Sequence, residues 1–514
     1  MATKPILVTG ATGYVGGRLI PRLLESGYRI RAMGRSETKL KSRPWGNHPM
    51  VEIAKGDALD LESLKKATAG CRAAYYLVHS MNPQQKNFEK ADRKAAENMV
   101  ASAAEAGLER IIYLGGLGDP DNPQMSKHLR SRFEVARILQ SGIVPTTFLR
   151  AAMILGSGSA SFEILRYLSE RLPVMITPCW VNTPCQPIAI RNVLKYLQGC
   201  LESEETKGKT FDIGGPEVLT YRKLIEIYAE EAHLTKRLII PLPYLTPKLS
   251  AYWIHWITPV PASIAVPLAE GLNIPVICKE NRIRSIITQR LLTCSEAIRL
   301  ALERIQQEAV ETRWSDAGVV TLPEWTYCGD ADYAGGTILE CGYRILLQAT
   351  AEEVWQPITQ IGGIRGWYFG NSLWRLRGDL DRLLGGVGLR RGRRHPSQLY
   401  VGDALDFWRV LEVEPPRRLL LLAEMKLPGE ALMEFRITPL EENRTELQQL
   451  ARFLPRGLVG ILYWSVLYLF HKWIFGGMMR SIAESMKKPV ISGPERIKTT
   501  VTKSCNLPPY GSGG

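Results

Sequence analysis

Gly10, Gly13 and Gly16 stand at three-residue spacing directly after the apolar run Ile6-Leu7-Val8. That combination is suited to gripping a pyrophosphate. The first glycine permits a tight strand-to-helix turn, the second lets the backbone approach the phosphates, and the third allows a helix to pack closely on a sheet. The anion would lie at the N-terminus of the helix that follows, where unpaired N–H groups and the positive end of the dipole favour negative charge. Thr12, Tyr14 and Val15 fill the same turn and join the glycines as cofactor-contact candidates. Arg35 stands 19 residues past Gly16, at the end of a second strand-like run over 28–33, and no acid lies between Arg29 and Ser36. An acid at this place reads the ribose 2′-OH of NAD, whereas an arginine suits the 2′-phosphate of NADP. NADP(H) is therefore expected over NAD(H), with Arg35 as the main contact, Ser36 beside it, and Arg31 or Lys39 as further charges; without a ligand, Arg35 reads as a solvated strand-end residue. Residues 51–58 read as a third short strand closed by an acid. There Asp57, next to Ala58, is placed to accept a hydrogen bond from an adenine amino group or to cap the following helix.

These groups need a frame that brings strand ends and a helix start together. Residues 14–27 show the periodicity of an amphipathic helix ending at a glycine, so strand, glycine turn, helix and second strand form a βαβ unit. The fold class expected is α/β, a Rossmann-type doubly wound parallel sheet.

With those residues in place, TGATGYVGG, GRS, GDALD and the strand AYYLVHSM resemble the atypical short-chain dehydrogenase/reductases, in particular the NmrA-like and extended epimerase-like branch, over about the first 310 residues. RIIYLGGLGD is similar to the family's fifth strand, TTFLRAAMILGSGS to its sixth, QPIAIRNVLKYL to its return segment near the substrate, and KTFDIGGPEVLTYRKLIEIYAEE to a late strand and helix. The resemblance implies that the fourth strand ends on the nicotinamide side, which points to Val78, His79 and Ser80.

The chemistry departs from that family. Its active members use a Tyr-x-x-x-Lys pair, but the corresponding segment here, 126–134, carries His128-x-x-x-Arg132. A spacing of four keeps both side chains on one helix face. An imidazole with an unperturbed pKa near 6.5 can serve as acid or base at neutral pH, whereas Arg132 stays charged and cannot join a proton relay. The family's helper serine would fall at Gly115 or Gly116, neither of which has a hydroxyl. His128, Arg132 and Ser80 are the catalytic candidates, set against His128 as a surface or ribose-contacting residue.

A chain of 514 residues exceeds a single core, and 45% apolar with 23% charged residues describes a folded protein. The start MATKPILVTG enters the first strand at once, so a cytoplasmic protein is expected. Nine cysteines without a Cys-x-x-Cys pair read as reduced structural thiols, and no metal site is expected. The net charge of +14 invites an anionic partner. Part of it lies in the run Arg390-Arg391-Gly392-Arg393-Arg394-His395, read as a solvated basic loop. No recognition helix or finger spacing accompanies the run, so nucleic acid is not an expected partner.

Domains are expected at 1–314, with the substrate side over about 150–314, then a linker at 315–335, a second domain at 336–490 and a flexible tail at 491–514. A Pro- and Trp-rich stretch within 239–275 reads as a lid or wall over the substrate pocket. From Gly336 the pattern is strand, a helix capped near Thr350, antiparallel strands with turns at Pro415-Pro416 and Pro428-Gly429, and a long apolar helix over 458–483. That order resembles the α+β helix-grip fold of the SRPBCC superfamily, and the segment is similar to an uncharacterised domain fused to such reductase-like modules. The helix-grip resemblance implies an apolar cavity and so a hydrophobic ligand. GLVGILYWSVLYLF gives 14 uncharged residues, short of the roughly 20 needed to span a bilayer, so a buried or interfacial helix is expected, with peripheral membrane contact through it and the basic loop. Nothing in the sequence sets an oligomeric state.

Two functions follow. One is an NADP(H)-dependent oxidoreductase or epimerase-like enzyme acting on a hydrophobic small molecule, with His128 as proton donor or Ser80 orienting a carbonyl. The other is a non-catalytic NADP(H) sensor, scaffold or assembly factor, or a lipid carrier through the C-terminal domain.

Overall fold

The computed structural model describes residues 4–78, 88–120, 122–123, 125–242, 271–306, 338–455 and 457–497. The chain divides into two compact units, Met1–Val319 and Val320–Gly514. The expected linker at 315–335 lies outside the described residues, as does most of the Pro- and Trp-rich stretch, 243–270.

In the first unit seven strands form one sheet: β1 (Ile6–Val8), β2 (Ile30–Gly34), β3 (Val51–Lys55), β4 (Ala73–Tyr76), β5 (Arg110–Gly116), β6 (Thr146–Ala151) and β7 (Thr210–Ile213). They lie in the order β7-β6-β5-β4-β1-β2-β3, every pairing parallel. Strands β1 and β4 are buried along their whole length because helices cover both faces, which is why they read as unbroken apolar runs. Against one face pack α1 (Gly16–Glu25) and the helix Ile190–Glu202, through Leu19, Leu23, Val193 and Leu197. Against the other pack Leu61–Thr68, Phe88–Ala106 and Lys127–Ser141, through Leu64, Met99, Val135 and Leu139. The direction of strand succession reverses between β1 and β4, and ligands of open α/β sheets bind at such a reversal. Helix α1 starts two residues later than its periodicity suggests, because Tyr14 and Val15 belong to the turn. In the later part of this unit, helices Ala160–Arg171, Tyr221–Glu231 and Cys294–Gln306 enclose Phe162, Tyr228 and Ile298.

The second unit is α+β. Its sheet is antiparallel, made of β8 (Leu339–Leu347), β9 (Ala404–Leu405), β10 (Trp408–Glu414), β11 (Arg418–Ala423), β12 (Gly429–Leu440), β13 (Arg444–Pro455) and β14 (Val490–Arg496), in the order β9-β10-β11-β12-β13-β8-β14. Helix Ala351–Thr359 opens with a reciprocal capping box. The Thr350 hydroxyl accepts from the Glu353 N–H at 3.2 Å, and the Glu353 carboxylate accepts from the Thr350 N–H at 3.0 Å. The long helix Gly457–Met486 lies directly on the sheet, where Trp464 stacks on Phe453 with ring centroids 5.5 Å apart.

Two expectations for this unit need correction. The tail does not begin at 491, because residues through Arg496 pair with β8 and satisfy its outer edge. Trp367, Trp374, Phe407 and Trp408 interlock in the core at centroid distances of 5.3–6.3 Å. The basic run is not simply solvated. Arg393 donates to the carbonyls of Thr359 and Ile361 at 2.6 and 2.7 Å, and the buried Arg394 pairs with the buried Asp403 at 3.0 Å. Loop carbonyls turned inward need donors, and the run supplies them. Among the described residues no helix is long and apolar enough to cross a membrane.

Candidate dinucleotide-binding site

The glycine turn opens at the reversal point. Gly10 has φ +65°, and a Cβ there would meet the Leu77 carbonyl oxygen at 2.6 Å, just past the end of β4. Only glycine fits both the backbone angle and the approach of the two strand ends. At Gly16 a Cβ would stand 2.4 Å from the Gly10 carbonyl oxygen, so the start of α1 sits against the turn itself. Thr9, fully buried, ties the floor: its hydroxyl donates to the Tyr75 carbonyl at 3.0 Å and accepts from the Leu77 N–H at 3.1 Å. No side chain caps α1 and no acid stands in its first turn, leaving its N-terminal end suited to an anion. The residues present thus fit a dinucleotide: two backbone approaches too close for a Cβ make the tight strand-to-helix turn that a pyrophosphate needs. Thr12, Gly13, Tyr14 and Val15 complete the turn, with the Arg18 guanidinium stacked on the Tyr14 ring at 4.7 Å.

At the ribose end, Arg35 is exposed immediately after β2. The other charges expected there are committed elsewhere. Arg31 pairs with Glu52 at 2.8 Å and donates to the carbonyls of Ala67 and Ala69 at 3.0 and 2.6 Å, and Lys39 is only 2% exposed. Arg31 is held by those partners and Lys39 is buried, which leaves Arg35 as the exposed charge at this end of β2. Ser36 caps the helix Glu37–Lys41, its hydroxyl accepting from the Lys39 N–H at 3.3 Å. Asp57 lies two residues past β3 and accepts from the Leu59 N–H at 3.0 Å. The capping role considered for it belongs to Asp60, which accepts from the Glu62 N–H at 3.1 Å. Ala58 is buried, its carbonyl held by Asn98 at 2.8 Å.

At the nicotinamide end, Val78 packs against the core, while His79 and Ser80 lie outside the described residues. His128 and Arg132 do share helix Lys127–Ser141, which Ser126 caps. Their chemistry differs from the expectation. Burial, reinforced by the Arg132 charge, pushes the His128 imidazole down to about 3, so it is neutral at physiological pH and the acid form is not populated. Sequence spacing carries no signal of that desolvation. Arg132 is turned to the buried Tyr113, whose hydroxyl donates to the Arg132 carbonyl at 3.3 Å and lies 3.5 Å from its guanidinium. The helper-serine positions are closed as well. A Cβ on Gly115 would lie 2.6 Å from the Phe148 ring, and one on Gly116 would lie 2.5 Å from the Leu129 side chain. Among the described residues no group of three His, Cys, Asp or Glu is placed to hold a metal.

A family model described as NAD(P)H-binding matches residues 10–163. The N-terminal unit carries an NAD(P)H-binding domain. A second model, a protein family of unknown function (DUF2867), matches residues 333–478 in the C-terminal unit. The NAD(P)H-binding domain is similar to NADH dehydrogenase (ubiquinone) 1 alpha subcomplex subunit 9, mitochondrial, of Arabidopsis thaliana, 24% identical over 225 residues, 43% of this chain and 56% of that one. It is also similar to cinnamoyl-CoA reductase 1 of Arabidopsis thaliana, 27% identical over 236 residues, 43% of this chain and 67% of that one. The chain thus spans a little over half of the first relative's length. A solved structure of Citrobacter sp. triphenylmethane reductase complexed with NADP(H) is 21% identical, covering 58% of this chain and 99% of that one, with a TM-score of 0.47.

Proposed function

We propose that this chain holds NADP(H) as a bound ligand in a sensing or assembly role, without the alcohol–ketone proton chemistry of its reductase relatives. One observation carries the reading: a side chain at either helper-serine position would collide, at Gly115 with the Phe148 ring and at Gly116 with Leu129, beside an imidazole that burial keeps neutral. The preference for NADP(H) is supported by Arg35, the one expected charge that is exposed at the end of β2. Relatedness to reductases favours a second reading, hydride transfer to hydrophobic acceptors such as quinones, whose proton comes from water. The order of strands and helices supports placing the C-terminal unit in the helix-grip SRPBCC superfamily, with a hydrophobic molecule as its ligand.

Calorimetric titration tests the cofactor: NADPH binds more tightly than NADH, and Arg35→Ala removes the difference by about tenfold or more, the worth of one to two charge-assisted hydrogen bonds. Equal affinities in the wild type refute the Arg35 assignment. NADPH oxidation is then followed with hydrophobic aldehydes, ketones and quinones. Ketone or aldehyde turnover that disappears in His128→Ala overturns the binding reading, whereas quinone turnover that survives it selects the second.

A further inference from the structure

A cavity of about 60 Å³ opens one helical turn beyond the glycine turn, lined by Arg18, Arg22 and Arg191. We infer that it is a second anion site, built for a small phosphate- or carboxylate-headed molecule with a short apolar body. Arg18 and Arg22 stand four apart on α1 and so share a face, while Arg191 is the second residue of the helix that packs beside it. No acid occurs among the lining residues, and neither Arg22 nor Arg191 enters an ion pair among the described residues. Three guanidiniums converging on one space set up a positive potential that favours an anion there.

The site is also built rather than incidental. Arg18 is 8% exposed, donates to the Ser157 carbonyl at 2.8 Å and to its hydroxyl at 3.4 Å, and is stacked on Tyr14. Its charge is therefore fixed in place before any ligand arrives, which lowers the ordering cost of binding. Beyond the guanidiniums the wall is apolar, with Leu155, Leu194 and Leu300. At ~10–15 Å³ for each enclosed water the volume holds roughly four to six water-sized groups, the size of a phosphate or carboxylate head with a short chain. None of residues 10–15 lines the cavity, so the site is separate from the pyrophosphate turn.

The test uses the full chain, titrated calorimetrically with butyl phosphate and with butyrate, both alone and with saturating NADPH. Expected is binding that persists in the presence of NADPH and weakens at least tenfold in Arg191→Gln and in the pair Arg22→Gln with Arg191→Gln. Both residues are exposed, so the substitutions leave the core packing untouched. The ratio of the two probes identifies the head group. Affinity unaltered in the Arg191→Gln protein overturns the site, and so does binding that NADPH abolishes, which would assign the anion to the glycine turn. A chain that failed to bind NADPH would refute the cofactor reading yet leave the titration without it decisive here.

Discussion

Replacing Gly16 by alanine puts a methyl group 2.4 Å from the Gly10 carbonyl oxygen and 3.2 Å from the Ala11 Cα. Both neighbours are backbone, and ordinary contact begins at 3.4 Å, so α1 and the turn must separate by about 1 Å. Hydrogen bonds to a phosphate oxygen tolerate donor distances of only about 2.7–3.2 Å. At ~1.5–3 kcal/mol for each bond to a charged group, losing one or two costs about 3 kcal/mol. That corresponds to roughly a hundredfold in Kd. Folding is affected less, since crowding of ~1–3 kcal/mol is partly offset by up to about 1 kcal/mol of helix propensity gained over glycine. Calorimetric titration with NADPH, alongside a thermal melt to show that the variant is folded, measures the two effects separately. A folded Gly16→Ala protein that binds NADPH within about threefold of wild type would refute the argument that the Gly10–Gly16 contact shapes the phosphate cradle.

Two further outcomes follow from the C-terminal unit. The His471 ring stacks on Phe475 with centroids 4.9 Å apart, and its buried Nδ1 has no hydrogen-bond partner; burial pushes its pKa from 6.5 down to about 4. The unfolded chain takes up a proton near 6.5 while the folded one does not, so stability is complete above that pH and falls as pH drops toward 4. The loss is at most about 3.5 kcal/mol at ~1.4 kcal/mol per unit. Urea unfolding between pH 7.5 and 4.5 should therefore show a shallower decline in His471→Phe than in wild type, and identical declines exclude this source. On the same helix Val459, Leu462, Val466, Phe470 and Trp473 form a stripe 49–68% exposed. We propose peripheral membrane contact through it. At ~1.5–3 kcal/mol per buried side chain, the pair Val466→Asp with Phe470→Asp should weaken co-sedimentation with phosphatidylserine-containing vesicles at least tenfold. Equal pelleting of the two proteins removes the proposal.

The glycine turn, the strand–helix alternation and the Thr350 cap were legible because each depends on local rules: a run of apolar residues, a helical period, a residue type that alone tolerates a given backbone angle. So was the exposed place of Arg35, since a strand end followed by a charged residue reaches solvent with little help from the rest of the chain. Arg31 was not legible in the same way. Its neighbours in sequence say nothing of Glu52 or of the carbonyls of Ala67 and Ala69, which the sheet brings to it. The same holds for Arg393 and Arg394, whose partners at Thr359, Ile361 and Asp403 turn half of a basic run into internal bracing.

The sequence by itself determined that a strand, a three-glycine turn and a helix would present backbone to a dinucleotide, and that the family's tyrosine, lysine and serine are missing. Only the tertiary structure decided what stands in their place. Desolvation of His128 depends on everything packed around it, and the closure at Gly115 and Gly116 depends on Phe148 and Leu129, which arrive from another strand and another helix. Local propensity is written residue by residue, whereas burial and steric closure arise from residues distant in the chain.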